Sequence, residues 1–108
     1  MRKTALTPDV IRLVAERFKV LAEPARLEIL NRLRSGERSV GDLVRETGLG
    51  QANLSKHLQL LHAHGFVARR KDGVTVYYAL AESVDELCDI MTQQLNAQAK
   101  SRRRALTT

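Results

Sequence analysis

A short capped helix, a glycine-bearing turn and a longer helix with a polar outer face, followed at once by two alternating segments that meet at Asp72-Gly73, predict a mainly α fold with a β-hairpin wing. This is a winged helix-turn-helix in the order ααααββα. Ser39-Val-Gly-Asp42 has capping-box spacing and leads into Val40, Leu43 and Val44; Thr47-Gly48 stops the helix and Leu49-Gly50 completes a tight turn. Gln51 to Gly65 then places Leu54, Leu58 and Leu61 on one helical stripe, with Ala52, Ser55, Lys56, Gln59 and Ala63 on the opposite side. After His64-Gly65, a helix C-cap, the period changes from helical to alternating.

The chain has 108 residues, 44% of them apolar, which is one domain's length and enough for a single modest core. Aromatics make up only 4%, so Leu, Val, Ile and Ala must fill that core. No apolar run approaches the roughly 18 residues of a membrane span, and the Met-Arg-Lys start is not followed by a signal-like apolar region. A cytoplasmic, nucleoid-associated protein without a membrane partner is expected. The lone Cys88 leaves no intrachain disulfide and no multi-cysteine zinc site, and fits a reducing compartment.

Taken in order, residues 1–6 read as a mobile basic arm. Thr7-Pro8-Asp9 supplies an N-cap hydroxyl, Pro at the first helical position and an acid at the positive end of the dipole. Val10, Leu13, Val14, Phe18 and Leu21 follow at helical spacing, so the first helix is expected to bury one face. Pro24 ends it and begins a second helix, in which Leu27, Ile29, Leu30 and Leu33 are apolar and Ser35-Gly36 is the stop. Beyond the two helices of the helix-turn-helix, Phe66 to Lys71 and Val74 to Leu80 read as two strands joined by a two-residue Asp-Gly turn, with Val74, Val76 and Tyr78 on one face and Thr75 and Tyr77 on the other. Ser83-Val-Asp-Glu86 has the form of a second capping box, opening a last helix to about Ala97 with a seam of Val84, Leu87, Cys88, Met91 and Leu95, and Ile90 alongside. The domain thus spans 7–98, and 99–108, with Lys100 and Arg102 to Arg104, reads as a disordered basic tail.

Charge placement points to a polyanionic partner. The formal charge is +6, and from Gln51 to Lys71 the charged residues are Lys56, Arg69, Arg70 and Lys71 with no acid, whereas Glu82 to Asp89 holds Glu82, Asp85, Glu86 and Asp89 with no base. The outer side of the 51–65 helix is slim and acid-free. Gln and Lys there can hydrogen-bond base edges in a DNA major groove while Ala and Ser permit close approach. An ordinary solvated helix face would carry similar residues, and the neighbouring turn and basic hairpin tip favour DNA. The candidate DNA-binding set is Gln51, Ala52, Asn53, Ser55, Lys56, Gln59, Arg69, Arg70 and Lys71. The terminal-helix seam either closes the monomer's own core or pairs with its copy across a two-fold axis; the second makes Val84, Leu87, Cys88, Met91 and Leu95 a homodimer interface.

Three segments in register resemble the ArsR/SmtB family of small bacterial winged-helix repressors, over about Phe18 to Leu80. Leu21-Ala-Glu-Pro-Ala-Arg-Leu-Glu-Ile-Leu30 resembles the start of that family's second helix, Gln51-Ala-Asn-Leu-Ser-Lys-His-Leu58 its recognition helix, and Gly65 to Leu80 its wing. Gly50 departs from the pattern, standing where a Ser commonly caps the recognition helix, at a cost of only a few tenths of a kcal/mol. The resemblance implies a homodimer with its first and last helices at the interface, which adds Val14 and Phe18 to the terminal-helix seam, on an imperfect palindrome of double-stranded DNA, with repression by promoter occupancy and release by an effector. It matches Gln51, Ala52, Ser55 and Lys56 to base-edge readers and Arg69 to Lys71 to wing contacts, while His57 sits beside the leucine stripe as a packed or phosphate-touching residue.

The family's metal sites do not carry over. Its thiolate pair would fall at Ser39 and Gly41, its terminal-helix ligands at Glu82, Val84, Leu95 and Gln98, and its recognition-helix thiolates at Leu60 and His64. His62 or His64 could still join Cys88, although these two histidines point apart on a helix. No metal and no cofactor are expected. Cys88 is either a small apolar residue in the dimer seam or a thiol redox sensor whose intersubunit disulfide or modification moves the recognition helices apart. A winged-helix interaction module binding an acidic protein, without specific DNA recognition, is the alternative function. An enzyme fits poorly: the chain offers no nucleophile-base-orienter set, no paired carboxylates on a common pocket and no phosphate loop.

Overall fold

A computed structural model of the chain describes residues 4–107. Its elements run α1 (Pro8–Leu21), α2 (Pro24–Leu33), β1 (Arg38–Ser39), α3 (Val40–Thr47), α4 (Gln51–Ala63), β2 (Val67–Asp72), β3 (Thr75–Leu80) and α5 (Glu82–Thr107). Of the expected arm, residues 1–3 lie outside the described residues, and residues 4–6 are exposed and without regular structure.

Local chemistry sets the helix ends where the sequence places most of them. Thr7 Oγ1 accepts from the Val10 amide at 3.2 Å with Pro8 in the first turn, and Ser39 and Asp42 form a reciprocal capping box at 3.0 and 3.2 Å. At the end of α4 the Phe66 amide donates to the Leu61 carbonyl at 2.9 Å and the Gly65 amide to the His62 carbonyl at 3.0 Å, a Schellman ending. It turns through Gly65 at φ +74°, and Leu61 and Phe66 are both buried beside it.

The core gathers Ile29, Leu30 and Leu33 of α2, Leu43 of α3, Leu54, Leu58 and Leu61 of α4, and Phe66, Val67 and Tyr78 of the hairpin. The sheet has the order β1-β3-β2, all antiparallel, with Arg69 opposite Tyr78, Arg70 opposite Tyr77 and Lys71 opposite Val76. Strand β1 was not foreseen. It is only two residues long, and Ser39 serves both as its last residue, paired with Tyr77, and as the N-cap of α3.

Four expectations need correction. The hairpin pairs Asp72 with Thr75, so Gly73 and Val74 form the turn; Gly73 has φ +59° and Val74 does not, as in a type II′ turn, and Val74 stands 99% exposed in the turn instead of within the strand. Helix α5 begins at Glu82, with the Val84 amide donating to the Ala81 carbonyl at 3.0 Å, so Ser83 lies inside the first turn and cannot be its N-cap. The same helix does not stop near Ala97 but continues to Thr107, so the stretch expected as a disordered tail is helical as far as described. Its Gln, Ala, Lys and Arg residues are good helix formers, which counts for more than their lack of apolar periodicity. Finally, α1 does not bury a face within this chain: only Val20 and Leu21 at its end are buried, and Val10, Leu13 and Phe18 are exposed.

Because Leu58 is 1% exposed in the centre of this core, Leu58→Ala is expected to remove about 2–5 kcal/mol of stability, seen as a lower urea midpoint with an unchanged m-value.

Candidate nucleic-acid interface

Burial of Leu54, Leu58 and Leu61 turns the remaining sides of α4 outward. Ala52 and Lys56 form the crest of the exposed side, Gln51, Ser55 and Gln59 descend on one flank, and Asn53 stands exposed on the other. The flank of Gln51, Ser55 and Gln59 is one wall of an open cleft of about 650 Å³; Arg69, Thr75, Val76 and Tyr78 of the hairpin form the facing wall. Ser39, Val40, Gly41, Val44 and Arg45 close one end. Four of the nine expected DNA-binding residues therefore line one cleft, and Ala52, Asn53 and Lys56 rise beside it.

The wing divides its three cations. Arg69 and Lys71 stand opposite Tyr78 and Val76 in the ladder and share their face, the one toward the cleft. Arg70 lies on the other face. Its Nε and Nη2 donate to the two carboxylate oxygens of Glu37 at 3.1 and 2.8 Å, and its guanidinium sits 4.4 Å over the Tyr77 ring. Hydrogen bonding from Arg70 holds the Glu37 carboxyl below the usual carboxylate range. Lys56, Arg69 and Lys71 have no carboxylate partner among the described residues.

Sequence reasoning gave no role to Arg45, which reaches the cleft from α3 with its side chain 73% exposed and paired to Asp42 at 2.5 Å. Its place on the polar side of α3, just before the turn, is the signal that could have found it. His57 is packed as expected and does not belong to the crest: its Nδ1 accepts from Arg26 Nε at 3.2 Å. At the end of α4, Arg17 of α1 donates to the His64 carbonyl and lies 4.9 Å over the Phe66 ring.

The residues expected at a dimer interface fall mostly on a second surface. Phe18, Leu87, Cys88 and Met91 line an apolar groove of about 280 Å³ between α1, α2 and α5, with Leu27 on its rim. Phe18 is 49% and Leu95 60% exposed, Ile90 and Met91 are exposed beside them, and Val14 is half-buried. Val84 also lines the groove, at its floor. At 3% exposure it belongs to the chain's own core, because the first turn of α5 packs back onto that core. The acids flanking Cys88 are engaged, since Arg34 donates to both Asp85 and Asp89. Among the described residues no group of three or more His, Cys, Asp or Glu side chains could hold a metal ion, and His64 Nδ1 is 3.0 Å from the Leu60 carbonyl.

Fold and cleft together define a winged helix-turn-helix protein. Residues 23–69 match the family described as bacterial regulatory protein, arsR family. The HTH-type transcriptional regulator Rv0081 of Mycobacterium tuberculosis is 46% identical over 71 residues, 65% of this chain and 62% of that protein. The chain thus spans less than two thirds of that curated relative. The crystal structure of M. tuberculosis Rv0081 superposes with a TM-score of 0.81 at 38% identity, covering 90% of this chain and 98% of that one. The biofilm growth-associated repressor of Xylella fastidiosa is 39% identical over 70 residues, 65% of this chain and 61% of that protein. A solution structure of Mb0332 from Mycobacterium bovis, described as a homodimeric winged helix-turn-helix DNA-binding domain and a possible ArsR-family regulator, has a TM-score of 0.79 at 28% identity over 92% of this chain and 95% of that one. The chain belongs to the arsR family of bacterial regulatory proteins.

The capping box makes the start of α3 sensitive to acid. The Ser39 backbone amide, followed by its hydroxyl, holds the Asp42 carboxyl below the ordinary Asp range, so this group stabilises the fold above its unfolded pKa and that contribution is lost as pH falls through the lower, folded value. Asp42→Asn should flatten the acid limb of thermal stability below about pH 4, measured as Tm against pH beside the wild type.

Proposed function

We propose that this protein is a homodimeric, sequence-specific DNA-binding repressor that occupies an imperfect palindrome with half-sites about one helical turn apart. The observation that carries the reading is the cleft in which Gln51, Ser55 and Gln59 of α4 face Arg69 of the wing, beside an acid-free crest of Ala52 and Lys56. Gln51, Ala52, Asn53, Ser55, Lys56 and Gln59 then read base edges and nearby backbone in the major groove, and Arg69 and Lys71 bind phosphates alongside. Dimerisation covers the apolar groove with a second copy and presents the two recognition helices together. The description of Mb0332 as homodimeric and the name of the Xylella fastidiosa protein as a repressor support this assignment.

Effector release in this reading does not use the family's metal positions, which hold Ser39 and Gly41, Glu82, Val84, Leu95 and Gln98, and Leu60 and His64 here, no one set with more than a single metal-binding side chain. Thiol modification at Cys88 is the route proposed instead, because Cys88 lies in the wall of the groove and any added group there would separate α5 from its neighbours.

A footprint on the chain's own upstream region, with sedimentation of the free protein, tests the assignment. A dimer protecting a palindrome supports it. A monomer that ignores every duplex at low salt, or captures only acidic proteins, overturns it. Lys56→Ala should relax sequence choice, with discrimination between operator and mutated half-site falling by about 10-fold, whereas Arg69→Ala should weaken all duplexes alike and reduce the slope of log affinity against log salt by about 0.9. Cys88→Ser should leave operator affinity intact and abolish release by peroxide, polysulfide or electrophile. Release unchanged in that variant removes the thiol route alone.

A further inference from the structure

Arg70 is chemically committed in a way that Arg69 and Lys71 are not. It sits on the edge strand β2, crosses over Tyr77 of β3 at 4.4 Å, and delivers two parallel hydrogen bonds at 2.8 and 3.1 Å to Glu37, the residue just before β1. One side chain thus links β2 and β3 to the residue that leads into β1, on the face opposite that of Arg69 and Lys71. Asp72 lies 4.0 Å from its remaining Nη1. To reach a phosphate, this guanidinium would have to give up a bidentate carboxylate and an aromatic face, both matched to its planar fork.

We infer that Arg70 is a positioning residue of the wing: anchored to Glu37 across Tyr77, it braces the hairpin so that Arg69 and Lys71 face the α4 cleft, and it does not itself bind phosphate. The DNA part of this inference rests on the proposed function; the brace does not. The pair is partly exposed, with side chains 53% and 38% accessible, so its contribution is modest and depends on the bidentate geometry and the ring beneath it.

Amide hydrogen exchange of the full chain without DNA, combined with duplex binding across a salt series, separates the two parts. The variants are Arg70→Gln, Glu37→Gln, their double, the charge swap Glu37→Arg with Arg70→Glu, and Arg69→Gln for comparison. Each single change to the pair should speed exchange of the β2–β3 amides by about two- to five-fold, the double should be no faster than either single, and the swap should restore protection. Arg70→Gln should keep the wild-type salt slope while affinity falls by the same few-fold as in Glu37→Gln, whereas Arg69→Gln should lose about 0.9 of slope. Unchanged hairpin exchange in both single variants overturns the brace. A slope in Arg70→Gln as low as in Arg69→Gln overturns the claim that Arg70 makes no phosphate contact. A wild-type chain that binds no duplex refutes the proposed function, and the exchange measurements then decide the brace by themselves.

Discussion

Leu54, Leu58 and Leu61 decide what this molecule presents to its surroundings. Each is at most 1% exposed, and together they lock α4 onto α2, α3 and the hairpin in a single rotational setting. A turn of α4 by one residue about its own axis would drive polar side chains into the core and lift leucines into water, at about 1.5–3 kcal/mol for each large apolar side chain exposed. The crest of Ala52 and Lys56 and the flank of Gln51, Ser55 and Gln59 are therefore fixed from below, with no polar contact needed to aim them. The Schellman ending adds a second restraint by setting the direction in which the chain leaves α4, which places β2 and with it Arg69 across the cleft.

Where one periodicity governs a segment, the sequence is easily read. The leucine stripe, the Ser39–Asp42 capping box and the Thr7-Pro8 helix start are local patterns with one dominant solution, and each appears as expected. The departures share a different cause, a choice settled by something beyond the local window. Asp72-Gly73 and Gly73-Val74 are both acceptable two-residue turns, and the pairing of Tyr78 with Arg69 selects the second. Ser39 satisfies a helix cap whether or not its backbone also pairs with Tyr77, so β1 leaves no trace in composition. The apolar spacing of α1 predicts a buried face, but among the described residues nothing covers Phe18 and Leu13, because α1 meets the rest of the chain mainly through its last turn.

The same distinction applies within the candidate interface. Composition groups Arg69, Arg70 and Lys71 as one basic tip, and counting charges assigns all three to the same task. Strand alternation separates them: neighbours in sequence point to opposite faces of the sheet, and only the register shows which face meets α4. The acid that occupies Arg70 comes from 33 residues earlier, a separation at which no sequence pattern signals contact. Conversely, Arg45 looks like an ordinary exposed helix residue until the fold brings α3 to the end of the cleft.

Helix α4 is also fastened to two of the three helices that carry the apolar groove. Arg26 of α2 donates to His57 Nδ1 at 3.2 Å and to the Val20 carbonyl at 3.0 Å, spanning the middle of α4 and the last turn of α1. Arg17 of α1 donates to the His64 carbonyl at the end of α4. Phe18, which lines the groove, follows Arg17 directly in α1, so a shift of that helix that repacks Phe18 must either break the Arg17 and Arg26 hydrogen bonds or carry α4 with it. The packed leucines hold α4 against α2, α3 and the hairpin, so a displacement of α4 along with α1 works against that packing. The groove and the exposed crest of α4 are thus joined through polar links at the middle and C-terminal end of that helix, leaving its N-terminal turn, with Gln51 and Ala52, held by the leucine stripe and the short turn from α3.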